Sequence, residues 1–237
     1  MKSPQETSAS STAHGRWYSD ACGTAFGLEV LGERWALLIV RELLWGPKRF
    51  SDLRTGLPGI SAKVLTERLE GLARWGVLSR RVLPPPASAQ VYELTEWGRM
   101  AEPVIMELGR WAARSVKHDP TLPLSTASLM SSMKTMQSPA LEEAKDTIIG
   151  MAIGSESYRV AIRDGSLEMT PGPLEGCDAV LRAASAPPIA GALYSGQPFE
   201  AMEAAGALSV EGDRTVLASF LTLFALPEKV DGEAVTA

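Results

Sequence analysis

A long apolar stretch opens the most regular part of the chain. Most side chains of residues 35–45 are apolar, so nearly every face of a helix there would be hydrophobic, which indicates packing on several sides. Gly46 and Pro47 end this helix, because proline disfavours helical geometry in the preceding residue and has no amide proton. We therefore predict a buried scaffold helix.

A short helix, a turn and an amphipathic helix are predicted next. Phe50 and Leu53 anchor the short helix, and the chain turns at 57–59. Ser61 is a good N-cap for the following helix, because its hydroxyl can accept a hydrogen bond from a free backbone N–H. Between 61 and 75 the apolar residues fall four and then three apart and form one core-facing stripe; they are Leu65, Leu69 and Leu72.

The other face of this second helix is polar. At about 100° per residue, Lys63, Thr66 and Glu67 point away from the stripe, in the half of a recognition helix that enters the major groove of DNA. A solvated face with ordinary salt-bridge spacing is the alternative, but the preceding helix and turn favour recognition. The predicted DNA-contacting residues of this helix are Ser61, Ala62, Lys63, Thr66, Glu67 and Arg68.

Two stretches of strand composition follow, at 77–83 and 90–95, around a proline-rich tip that cannot pair as a central strand. Arg80 and Arg81 fall on opposite faces of the first strand, so at least one can point towards a phosphate. The alternative is an exposed edge protected by charge. The order of helices and hairpin predicts a winged helix-turn-helix domain that binds duplex DNA.

Residues 96–117 are predicted to be mostly helical, with Pro103 kinking or opening the helix. Apolar residues alternate four and three apart along it, and a small domain has little core left to cover them. We therefore expect this stripe to meet a second copy of the chain; it consists of Trp97, Ala101, Val104, Leu108 and Trp111.

These motifs resemble the HxlR family of bacterial winged-helix regulators, relatives of the MarR type. The matching positions are 31–35, 49–53, 57–61, 64–69 and 92–95, with Cys22, Leu72, Gly76, Val77, Gly98 and Trp111. The resemblance spans about residues 20–115 and implies a homodimer on a roughly palindromic operator, with 21–31 contributing to the dimer interface. Two departures are the proline-rich wing tip and the long continuation of the chain.

Charge separates the chain into two parts. Through His118 there are 16 basic and 12 acidic residues, a balance of +4, and the remainder has 7 and 16, a balance of −9, which together give the overall −5. Because phosphate neutralisation supplies much of DNA affinity, only the first part suits DNA.

The cysteines and histidines predict no metal site, disulfide framework or cofactor, and no catalytic constellation, so we do not expect an enzyme. Some regulators of the resembled family sense oxidants through a cysteine placed like Cys22. Reactivity requires a thiolate, and the alternative is a small buried residue in the dimer helix. The chain shows no signal-peptide core or membrane span, and we expect a cytoplasmic protein.

The second half reads as a small α+β layer of strands and helices after a boundary at 118–125. It is similar to sterol carrier protein domains at 160–165, 178–181, 205–213 and 217–224, with Ser195 and Gly196. This resemblance implies an apolar tunnel for a lipid or a flat hydrophobic molecule, although the same side chains could simply fill the core. The candidate lining residues are Ile189, Leu193, Phe199, Met202, Phe220, Leu223 and Phe224.

The predicted organisation is α+β throughout, a winged helix-turn-helix domain followed by a sterol-carrier-like domain. The predicted segments are a disordered tail at 1–17, the DNA-binding and dimerisation domain at 18–118, a linker with a short helix at 119–139, the ligand-binding domain at 140–228 and a tail at 229–237. We expect a dimeric DNA-binding regulator modulated by a hydrophobic effector. The alternatives are a redox sensor triggered through Cys22 and a lipid carrier that uses the winged helix for dimerisation or partner binding.

Overall fold

The computed structural model describes residues 18–85 and 88–230. The predicted tail at 1–17, two residues of the wing tip and the predicted C-terminal tail from 231 onwards lie outside the described residues. Within the described ranges, no helix is both long enough and apolar enough to cross a membrane.

The first domain has the predicted order of helices followed by a hairpin. Its elements are α1 (Gly23–Leu31), α2 (Ala36–Leu43), α3 (Phe50–Gly56), α4 (Ala62–Arg74), β1 (Leu78–Val82), β2 (Gln90–Leu94), α5 (Glu96–Arg99) and α6 (Glu102–Ala113). Strands β1 and β2 pair antiparallel with Leu78 opposite Leu94. The predicted winged helix-turn-helix is confirmed.

The core of this domain forms between the scaffold helix and the leucine stripe of α4. Ile39, Val40 and Leu43 of α2 are fully buried, and the α4 leucines at 65, 69 and 72 share the same hydrophobic cluster. This packing fixes which face of α4 points outward.

Pro103 opens the helix predicted for 96–117. Helix α5 ends at Arg99 and α6 begins at Glu102, so that Pro103 lies in the first turn of α6. A first-turn position suits proline, because its missing N–H would have no helical partner there. Four residues of the predicted stripe, Trp97, Val104, Leu108 and Trp111, are exposed in the single chain, from 46% at Trp97 to 74% at Trp111, whereas Ala101 packs against the core of the first domain.

The second domain is a five-stranded sheet with helices. Its elements are α7 (Thr126–Thr135), a 3-10 helix (Pro139–Glu143), β3 (Thr147–Ile153), β4 (Glu156–Arg163), β5 (Ser166–Pro171), β6 (Ala179–Ala183), α8 (Ala186–Tyr194), α9 (Phe199–Ala204), β7 (Leu208–Gly212) and α10 (Arg214–Leu221). The strand order is β5-β4-β3-β6-β7, with β3 and β6 parallel and the other pairs antiparallel.

Helix α7 belongs to the packed core of this second domain. Leu129, Met130 and Met133 are fully buried in one cluster with the sheet residues Ile149 and Leu181. The segment predicted as a linker therefore contains a helix that packs under the sheet and also contacts α2 and α6.

The sequence pattern predicts a final helix from Asp213 to Leu226. Helix α10 ends five residues before that, at Leu221. Phe224 instead forms a bridge with Gln137, and the Ala225 amide donates to the Met136 carbonyl at 3.0 Å. A tertiary backbone pairing has replaced the last helical turn.

Candidate nucleic-acid interface and domain boundary

The polar face of α4 points away from the domain core. The Ser61 hydroxyl accepts from the Val64 amide at 3.2 Å and starts the helix as predicted. With Leu65 and Leu69 buried, Ser61, Ala62, Lys63, Thr66 and Glu67 are all exposed. This surface has the geometry that groove insertion requires.

Lys63 is the most available cation on this face. Its side chain is 86% exposed and lies 3.9 Å from Glu67, one helical turn further on. Such an exposed pair contributes at most about 1 kcal/mol, so the ammonium can turn towards a phosphate. The Thr66 hydroxyl donates to the Ala62 carbonyl at 3.0 Å, which leaves its oxygen able to accept.

Arg68 points back towards its own domain. Its Nε donates to the Arg34 carbonyl at 3.1 Å, and its Nη2 lies 3.0 Å from the Glu33 carboxylate. These contacts hold α4 against the loop before α2. The Arg68 guanidinium is therefore less available to DNA than the Lys63 ammonium.

The two wing arginines differ in their surroundings. Arg81 lies 2.7 Å from Glu93, which also pairs with Arg99 at 3.5 Å. Arg80 sits opposite Tyr92 in the hairpin and is exposed, and within the described residues no carboxylate pairs with it. Arg80 is therefore the better placed of the two to reach a phosphate.

The two cysteines have opposite electrostatic settings. Cys22 is exposed at the N-cap of α1, and hydrogen bonding to the Thr24 backbone lowers the pKa of its thiol. Cys177 is half-buried, and this burial raises the pKa of its thiol despite the nearby Arg159. In the described part of the chain no group of His, Cys, Asp and Glu could hold a metal ion.

The seven predicted ligand-lining residues come together, but as a packed core. All of them belong to the hydrophobic cluster of the second domain and are at most 9% exposed. The rings of Phe220 and Phe224 meet edge to face, with centroids 5.1 Å apart. None of the seven lines either of the two cavities found at the domain boundary.

The domain boundary contains a buried carboxylate that the sequence analysis missed. Glu42 of α2 is 1% exposed and accepts from the Ser125 hydroxyl at 2.7 Å and from Arg41 Nη2 at 2.9 Å. Nearby, the Trp45 indole N–H donates to the Ser131 hydroxyl of α7 at 3.1 Å. The sequence signal for this buried carboxylate was the pair Arg41 and Glu42 inside the otherwise apolar stretch 35–45.

A second group of contacts joins Lys48, which pairs with Tyr92 of the wing, to the sheet of the second domain. Lys48 Nζ lies 3.1 Å from the Glu156 carboxylate, which also accepts from the Tyr158 hydroxyl at 2.9 Å. The Tyr158 ring meets Trp45 edge to face at 6.3 Å, and burial raises the pKa of its phenol. The sheet thus contacts the helix-turn-helix directly through polar groups.

Helix-turn-helix, hairpin wing and outward-facing α4 together define a winged helix-turn-helix protein. A family model described as HxlR-like helix-turn-helix matches residues 30–120. The chain belongs to this HxlR family of helix-turn-helix transcriptional regulators.

Similar proteins match the first domain. The uncharacterized HTH-type transcriptional regulator YvaP of Bacillus subtilis is 40% identical over 85 residues, which cover 36% of this chain and 79% of YvaP. The HTH-type transcriptional regulator YodB of the same organism is 42% identical over 89 residues, covering 38% and 78%. The solved structure of the redox regulator HypR in its oxidized form is 32% identical, with a TM-score of 0.36, covering 38% of this chain and 94% of HypR.

Proposed function

We propose that the chain is a sequence-specific, dimeric transcriptional regulator whose helix α4 reads a roughly palindromic operator in the cytoplasm. The observation that carries this proposal is the exposed polar face of α4, with Lys63 at its outer edge. Regulators of this family bind DNA and usually act as dimers. The resemblance implies control of a neighbouring gene, and we propose that the chain acts as a repressor or local regulator.

The second step of the proposal is that the C-terminal domain, similar to sterol carrier domains, binds a hydrophobic molecule. The five-stranded sheet with helices supports this. The seven candidate residues now fill the core, so a ligand among them would require helices α8, α9 and α10 to separate. Displaced core contacts would then oppose binding.

Coupling between the domains requires that the effector bind the DNA-competent and DNA-incompetent arrangements with different affinities. The Glu42–Ser125 and Trp45–Ser131 hydrogen bonds supply direct connections from α7 to the scaffold helix α2. A movement of α7 would therefore change the support on which α3 and α4 pack.

A mobility-shift titration tests the regulatory function. The full chain is titrated against DNA from upstream of its own gene and against unrelated DNA of equal length, over a series of salt concentrations. We expect tighter binding to the upstream DNA and a steep loss of affinity with salt. Equal affinity for both DNAs, with lipid found by native mass spectrometry of the purified protein, would instead favour the lipid carrier.

Redox sensing through Cys22 is the second candidate, because the thiol is exposed and its pKa is lowered. A thiolate at this position could be oxidised and change the arrangement of α1. An oxidant should then release DNA from the wild-type protein and leave the Cys22→Ser complex intact. Equal release from both would remove Cys22 from the mechanism.

A further inference from the structure

An open-sided cavity of about 550 Å³ lies at the domain boundary. Its wall is formed by α2, by residues 56–58 between α3 and α4, by α6 and by α7. Residues 122–125 of the connection complete it. Ligand cavities in proteins commonly measure about 300–1,000 Å³. This cavity has that size and lies outside the packed core of the second domain.

The wall is mainly apolar and carries a single permanent charge. Arg41 supplies that charge, His118 is the other titratable lining residue, and no carboxylate is among the lining residues that the structure describes. The hydroxyl groups of α7 are already engaged, since Ser131 accepts from Trp45 and Ser132 donates to Tyr194. An apolar ligand in this cavity would therefore find one cationic side chain, Arg41, in the wall.

Arg41 has hydrogen-bonding capacity left over. Its Nη2 donates to Glu42, whereas its Nε is buried and has no partner among the described residues. A guanidinium is a planar fork that pairs with carboxylates and similar anions through two parallel hydrogen bonds. Arg41 is among the residues that line the cavity, so an acid group bound there can accept hydrogen bonds from this guanidinium.

We propose that this cavity binds a small hydrophobic acid, an aromatic or aliphatic molecule with one carboxylate or sulfonate directed at Arg41. The apolar part lies against α6 and the connection, and the acid group lies at α2. This site is separate from the seven core residues of the second domain.

The position of the cavity gives such a ligand a regulatory effect, and this consequence rests on the proposed function. Gly56 at the end of α3 and Leu57 and Pro58 of the turn that leads into α4 all line the cavity. Leu108 and Gly109 bring in α6, which carries the exposed apolar stripe. A bound acid would therefore contact the turn that positions the recognition helix α4. It would also contact α6, the helix that we expect to meet the second copy.

Fluorescence titrations with two related probes test the site. The anionic probe is 8-anilinonaphthalene-1-sulfonate, and N-phenyl-1-naphthylamine has the same aromatic skeleton without the charge. We expect the wild-type protein to bind about one sulfonate per chain and to bind the uncharged probe more weakly.

Filling the cavity is the first arm of the test. Gly109 lines the cavity and a Cβ there meets nothing within 4 Å, so Gly109→Leu is chosen to add bulk at this part of the wall. It should weaken both probes about tenfold or more, and Leu122→Trp should do the same from the connecting segment. Glu107→Leu, on α6 but outside the wall, should change neither probe by more than about twofold. Unchanged binding in both filled variants would overturn the site.

Removing the charge is the second arm. Arg41→Met combined with Glu42→Gln leaves no unpaired buried charge and should weaken the sulfonate about tenfold while sparing the uncharged probe. Equal effects on both probes would overturn the acid-binding assignment. Neither arm uses DNA, so the two proposals can fail separately. If the probes bind as expected but the protein binds no operator, the ligand site is supported and the proposed regulatory function is contradicted.

Discussion

The Ser125 hydroxyl donates a 2.7 Å hydrogen bond to the Glu42 carboxylate, which is 1% exposed. The same oxygen accepts from the Ser128 amide at 3.0 Å and caps helix α7. One side chain therefore both starts α7 and partners a buried charge of the DNA-binding domain.

Replacing Ser125 with alanine should destabilise the protein. The N-cap contributes about 0.5–2 kcal/mol, and leaving a buried acceptor short of a donor costs about 1–3 kcal/mol, so we expect a loss of about 2–4 kcal/mol in urea unfolding. Ser219→Ala, which removes an exposed hydroxyl bonded within α10, is the matched control. Equal losses from the two variants would show that neither the cap nor the Glu42 contact contributes.

Lys63→Ala should weaken operator binding without lowering stability, because the side chain is 86% exposed. Loss of one phosphate contact should reduce the salt slope of binding by about 1. Lys145→Ala makes the same charge change on the second domain and should leave affinity unchanged. If Lys63→Ala keeps both the affinity and the salt slope of the wild type, Lys63 does not contact DNA.

Two helical glycines should respond oppositely to alanine. A Cβ on Gly98 would lie 2.0 Å from the Val77 carbonyl oxygen, whereas one on Gly109 meets nothing within 4 Å. Gly98→Ala must shift backbone and should destabilise by about 1–3 kcal/mol or more, while Gly109→Ala should stabilise by about 0.5–1 kcal/mol. Thermal unfolding of both variants checks this, and a harmless Gly98→Ala would disprove the close approach.

Trp111→Ser should shift the protein from dimer to monomer in sedimentation velocity. Trp111 is 74% exposed on α6 in the single chain, and burying large aromatic side chains against a second copy is typical of interface centres. Val82→Ser, at a 70% exposed apolar position on the wing, should leave the mass unchanged. A dimeric Trp111→Ser protein would place the interface elsewhere.

The two thiols should react with iodoacetamide in different pH ranges. Cys22 has a lowered pKa from hydrogen bonding to Thr24, and Cys177 a raised pKa from burial. Since the thiolate is the nucleophile, the labelling rate of Cys22 should rise at lower pH than that of Cys177. Labelling of Cys22→Ser and Cys177→Ser separates the two rates, and coincident pH profiles would contradict the assigned environments.

Local patterns predicted the first domain well because each element carries its own signal. The leucine spacing after Ser61 fixes both the helix and its buried face, and Ser61 caps it as expected. The same logic located the hairpin, where prolines separate two strand-like stretches. The face of α4 is thus set by residues within four positions of each other.

Contacts between distant segments left no comparable signal. Ser125 lies 83 residues from Glu42, and no periodicity links the two. By sequence, Arg68 was predicted to contact DNA from the exposed face of α4. In the structure, its guanidinium instead contacts the Glu33 carboxylate and the Arg34 carbonyl. Likewise, the end of α10 depends on Phe224 pairing with Gln137, which helical spacing cannot reveal.

The last described residues return to α6. Lys229 Nζ donates to the Ala113 and Ser115 carbonyls at 2.8 and 3.1 Å, and the Val230 amide donates to the Arg114 carbonyl at 2.8 Å. At the other end of α6, Glu102 pairs with Lys134 of α7 at 2.6 Å. The C-terminal domain thus contacts both ends of α6. A rearrangement within that domain would therefore rotate or shift this helix.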